Sequence, residues 1–103
     1  MMNMLIIGER INTVRKRVLQ AYQEKDNNYI REEAICQAKA GANVIDVNAG
    51  ISIDLEPDNM AWAVKVVQNA VDTPLCIDSP NPQPIRAGNM AYGFNIKAIE
   101  QTF

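Results

Sequence analysis

The chain of 103 residues contains no histidine and only two cysteines, Cys36 and Cys76. With no second Cys-x-x-Cys and no imidazole, the ligand set of a zinc site is missing, and two small buried thiols in a reducing compartment are the expectation. Basic residues are also scarce. Ten Lys and Arg stand against twelve Asp and Glu, for a net charge of -2, and the one basic cluster, "VRKRV", is too short to be the electrostatic footprint of a nucleic-acid binder. Long apolar runs are absent too. In "MMNMLIIGE" the apolar stretch ends at Gly8 and Glu9, which fits neither a secretion signal nor a membrane span, so the chain is expected in the cytoplasm with no membrane partner. No GxGxxG, P-loop or nucleophile paired with a base occurs, which leaves nucleotide binding and acyl transfer without support.

What is present is an alternation of short apolar stretches with helical patterns. At 48% hydrophobic and 21% charged residues the composition is that of one globular unit. "MLIIGE" reads as a buried strand. "TVRKRVLQAYQEKD" follows, with Val14, Val18, Leu19 and Tyr22 near helical spacing and Thr13 as N-cap. "NNYIREEAICQAKAG" is a second helix ended by Gly41 in the left-handed conformation. The strand "NVIDVNA" comes next. In "EPDNMAWAVKVVQNAV", Pro57 sits in the first turn, and Met60, Ala63, Val64, Val67, Ala70 and Val71 form a core-facing stripe. Trp62 lies off that stripe. After the strand "TPLCIDS", Asn81 and Pro82 open another helix in "NPQPIRAG".

Strand and helix in alternation, with short connections, predict an α/β protein of parallel strands joined by right-handed crossovers. Three such units cannot close a (β/α)8 barrel, which takes about 250 residues. The expectation is a small open sheet or an incomplete barrel: residues 1–88 as one partial domain, and 89–103 as a tail that lacks the next apolar strand.

Strand side chains alternate between faces. Val44, Asp46 and Asn48 therefore share one face and Ile45 and Val47 the other, while Cys76 and Asp78 oppose Leu75 and Ile77. Each strand carries an acid near its carboxyl end and an aliphatic face for helices to cover. Ligands of parallel α/β folds bind outside those carboxyl ends. A single aspartate there is commonly a turn former or helix cap, but two on one face, one with Asn48 beside it, point to a site. Asn12, just past the first strand, is a further candidate. Glu9 and Arg10 read as a simple surface pair, and Gly8 and Gly50 as backbone-geometry positions.

"LIIGERIN", "GANVIDVNAG" and "PLCIDSPNP", in this order and spacing, resemble the opening third of the pterin-binding barrel enzymes. Among these they are most similar to the methyltetrahydrofolate:corrinoid/iron-sulfur protein methyltransferases. The resemblance implies a TIM barrel, a pterin at its C-terminal mouth, and transfer of a methyl group from N5 of 5-methyltetrahydrofolate to a cob(I)amide on a corrinoid partner protein, with no metal bound directly. Residue by residue, it makes Asp78 the catalytic and pterin-binding aspartate. Asp46 and Asn48 become the polar end of the second strand near the pterin, and Asn12 the asparagine after the first. Carboxylates and amide oxygens suit the N–H donors of a pterin edge.

The family's later pterin-clamping residues lie on strands beyond the three recognised here, so the expected site is one-sided and the third strand an unpaired edge. A truncated or split member, inactive alone, is the resulting expectation, working as a homodimer or with the remaining barrel portion. Dihydropteroate synthesis is a second enzymatic reading, disfavoured because "VIDVNAG" lacks the Ser/Thr-rich sequel of that group. A non-catalytic fragment that complements another chain is the third.

Overall fold

The computed structural model describes residues 5–50, 54–92 and 99–101. Its elements alternate as expected: β1 (Ile7–Ile11), α1 (Lys16–Glu24), α2 (Asn27–Lys39), β2 (Val44–Asn48), α3 (Glu56–Ala70), β3 (Leu75–Asp78), α4 (Pro82–Tyr92) and β4 (Ile99–Gln101). The strands form one parallel sheet in the order β1-β2-β3-β4. Sequential parallel neighbours, joined by crossovers of the usual right hand, put their helices on the same face of the sheet. Ile45, Val47, Leu75 and Ile77 point to that face, each fully buried in one core with Val18, Ala21 and Tyr22 of α1, Ile30 and Ala34 of α2, and Met60, Ala63, Val64 and Val67 of α3.

The core explains the helix positions. Met60, Ala63, Val64 and Val67 of the stripe are fully buried, with Pro57 in the first turn of α3, while Ala70 is only partly buried and Val71, past the helix end, is extended. Gly41, at φ 98°, ends α2 in the left-handed region, where a Cβ would be strained. Asp26 caps α2 by accepting from the Tyr29 N–H at 3.1 Å. Helix α4 approaches β3 so closely that a Cβ on Gly88 would lie 2.9 Å from Ile77 Cγ2.

Four expectations are corrected. Thr13 is not the cap of α1, which starts at Lys16 after Arg15; its hydroxyl is spent on the end of β2, and Val14 is exposed. Of the two cysteines only Cys76 is buried, because Cys36 falls on the solvent side of α2. Alternation does not stop at Gly88: α4 runs on to Tyr92, and Ile99–Gln101 pairs in parallel with β3. The third strand is therefore not an edge. Strand β1 pairs only with β2 among the described residues, and its Leu5, Ile6 and Ile7 neighbourhood is exposed.

No helix among the described residues is long and apolar enough to cross a membrane.

Candidate functional site

The period-2 reading of the strands holds at the sheet's carboxyl end. Cys76 lies opposite Asp46, and Asp78 opposite Asn48, in the β2–β3 register. With the aliphatic residues turned to the helices, all four are on the other face. Glu9 of β1 adds its charge from the same side.

Asp46 is only 6% exposed. Burial, together with a hydrogen bond to the Asp78 side chain and the like charge there, raises its pKa from 3.8 to about 7. A buried carboxyl beside another carboxylate keeps its proton because two adjacent charges in a desolvated site are costly. Asp46 therefore holds its proton beside the Asp78 side chain. Burial, and then the hydrogen bond to Asp46, push the Cys76 thiol up to about 12. Cys76 is thus a neutral donor that supports Asp46, and no nucleophile.

Asp78 has one more property. Its Oδ1 is buried and finds no hydrogen-bond partner among the described residues. Buried polar atoms are nearly always paired, so an orphaned carboxylate oxygen at the carboxyl end of a parallel sheet has the form of a ligand acceptor.

The two asparagines behave differently from their expectation as acceptors. Asn48 Oδ1 already accepts from the Gly50 N–H at 3.1 Å and faces the Thr13 hydroxyl at 3.2 Å. Its strand end is held from behind, where the buried Tyr22 hydroxyl donates to the Asn48 carbonyl at 3.0 Å. What Asn48 can offer a ligand is therefore its amide N–H, a donor. Asn12 Oδ1 accepts from the Val14 N–H at 2.9 Å, a local turn bond of the common kind. The structure brings Asp46, Asn48 and Asp78 together and gives Asn12 first of all a turn to hold.

Sequence reasoning missed a second polar layer under the site. Glu56, in the first turn of α3, is 2% exposed and Ser79, next to Asp78, is fully buried. The Ser79 hydroxyl donates to Glu56 Oε2 at 2.6 Å and accepts from the Asn81 N–H at 3.0 Å, while Asn81 Nδ2 donates to Glu56 Oε1 at 3.2 Å. The only signal available was the run of polar residues after Asp78 in "DSPNP". Arg10 does form an ion pair, but with Glu33 on α2 at 2.8 Å and not with the neighbouring Glu9. Trp62 packs edge-on against Tyr22 and donates its indole N–H to Asn27. The described residues hold no cluster of three metal-ligating side chains.

No family model matches the chain. A curated relative does: the chain is 49% identical, over 84 residues, to a methylcorrinoid:tetrahydrofolate methyltransferase of Eubacterium limosum. The resemblance to the corrinoid-linked folate methyltransferases is borne out. The match takes in 82% of this chain but 31% of the relative, so the chain spans about a third of the protein it resembles.

Proposed function

We propose that this chain supplies the first sector of a (β/α)8 barrel whose mouth binds a pterin, in a methyltransferase working between tetrahydrofolate and a corrinoid partner protein. The carrying observation is the orphaned Oδ1 of Asp78 beside the buried Asp46, whose pKa is raised. A pterin edge presents adjacent N–H donors, and a carboxylate accepting from them forms charge-assisted hydrogen bonds. Asn48 contributes a donor N–H at the same rim. Helices on one face only, with polar strand ends on the other, favour a barrel sector over a doubly wound sheet.

The relative's name joins methylcorrinoid and tetrahydrofolate, and the methyl group passes between cobalt and N5. Methylation of N5 releases the N5 proton, and the reverse transfer, from 5-methyltetrahydrofolate to cob(I)amide, requires that proton back. One site serves both directions through a shared transition state. Because the acceptors identified here come from two strands, the site is one-sided, and the chain alone lacks methyl-transfer activity until the rest of a barrel joins it.

Titration with 5-methyltetrahydrofolate tests the reading. Asp78→Asn replaces an acceptor by a group half of which is a donor, and is expected to weaken binding by about 10- to 100-fold, from about 1.5–3 kcal/mol for a hydrogen bond to a charged group. Absence of binding by the wild-type chain at millimolar ligand overturns it.

A further inference from the structure

We propose that Glu56 is a positioning residue for Asp78, acting through Ser79 and Asn81 to keep the Asp78 carboxylate beside Asp46, with its buried Oδ1 left without a partner among the described residues. The inference rests on the reading of Asp78 as the ligand-facing carboxylate and adds the group that holds it there. Glu56 begins α3, on the connection that leaves β2, while Ser79 and Asn81 belong to the turn that leaves β3. Their hydrogen bonds therefore tie the first turn of α3 to the end of β3, the strand that carries Asp78 beside Asp46.

The clamp needs a carboxylate. The Ser79 hydroxyl already accepts from the Asn81 N–H, so its own proton must go to an acceptor, and Glu56 Oε2 takes it. The Asn81 amide donates to the other oxygen. A glutamine offers one acceptor in place of two and cannot satisfy both. A fully desolvated glutamate is expensive to retain for a turn alone; it becomes intelligible if the turn must deny Asp78 the ordinary resting state of a strand-end aspartate, accepting from the next backbone N–H groups.

The consequence is measurable without ligand, because displacement of Asp78 removes it from Asp46. The groups acting on Asp46 are Asp78 and Cys76 from β3 and Glu9 from β1; Tyr22 of α1, on the helix side, senses the charges of both Asp46 and Glu56, and Asp78 alone is the chain neighbour of the clamp's Ser79. Carboxyl ¹³C NMR titration of the intact chain is the experiment, with Ser79→Ala, Glu56→Gln and Ser79→Thr as variants and core methyl spectra to establish folding. The high Asp46 carboxyl midpoint is expected to fall by one pH unit or more in Ser79→Ala and Glu56→Gln, and to return in Ser79→Thr. Where those two fail to fold, Asn81→Ala removes a single bond and gives a smaller shift of the same sign. An unchanged midpoint in a folded variant overturns the proposal. Parallel tetrahydrofolate titrations are expected to lose about tenfold in affinity in the same variants. A wild-type chain that binds no tetrahydrofolate refutes the pterin reading, while the carboxyl titration still decides the clamp.

Discussion

Asp46 sets the residue scale, because its proton makes the fold sensitive to pH in a range where surface carboxylates are not. Its folded-state pKa, about 7, is above the ordinary 3.8, so the folded state binds more protons than the unfolded one between these values. The stability this contributes is fully present below the ordinary carboxylate range and is lost as pH rises toward 7. Asp46→Asn keeps the shape and removes the titration. Urea unfolding is expected to show wild type and variant alike near pH 3, with the variant gaining on wild type as pH rises through the interval and more stable by roughly 2–4 kcal/mol at pH 8. Glu33 works in the opposite sense: its hydrogen bond to Arg10 holds its pKa down, giving stability present above the ordinary carboxylate range and lost only on acidification through the lowered value. Asp46 and Asp78 were legible from the sequence because a strand has a period of two, which no packing detail can alter. The Glu56–Ser79–Asn81 clamp was not, since its partners stand 23 and 25 positions apart and no periodicity relates them. Asn48 was found, but as an acceptor; only coordinates could show its oxygen already occupied by Thr13 and Gly50.

Elements were legible where one strong signal set them. The Met60 stripe, Pro57 and Gly41 each act through local sterics or a helical period, and α3 and the end of α2 fall where they dictate. Helix α1 was placed too early, because Thr13 and Val14 mimic a cap and an apolar position while Thr13 in fact bonds across to β2. Strand β4 was invisible, since "IEQ" has one apolar residue in three and is fixed by pairing with β3. Helix α4 depends on a contact the sequence only hints at. A Cβ at position 88 would meet Ile77 Cγ2 at 2.9 Å and Met60 Cγ at 3.1 Å, and Ile77 is a β-branched strand residue with little freedom to withdraw. Ala gains about 1 kcal/mol over Gly in helix propensity, against about 1–3 kcal/mol for overpacking. Gly88→Ala is therefore expected to be net destabilising, by about 1 kcal/mol, in urea unfolding. The adjacent Ala87→Gly, which loses propensity without touching Ile77, separates the two contributions.

At the scale of the molecule, the strand edges decide behaviour in solution. Strand β1 has β2 on one side only among the described residues, and Leu5, Ile6 and Ile7 around its start are 66%, 48% and 48% exposed. Residues 5 and 7 share the face that carries Glu9, Asp46 and Asp78, away from the helices. An apolar, unpaired edge is a template for strand addition, and contiguous exposed aliphatic side chains are associated with interfaces. If the chain is the proposed barrel sector, this edge and this inner face are what the remaining strands would cover, and their exposure and the one-sidedness of the proposed pterin site have one origin. Self-association should then increase with concentration in sedimentation velocity. Ile7→Lys puts a charge on the inner face at the edge, where it opposes pairing but removes little core packing, since Ile7 is half exposed already. It is expected to shift the chain toward monomer and to leave the urea midpoint within about 0.5 kcal/mol of wild type. A variant that associates as strongly as wild type would place the contact elsewhere on the surface. Co-purification with a separately expressed C-terminal barrel portion should be weakened by the same substitution, because one apolar edge cannot pair with a second copy and with its complement at once.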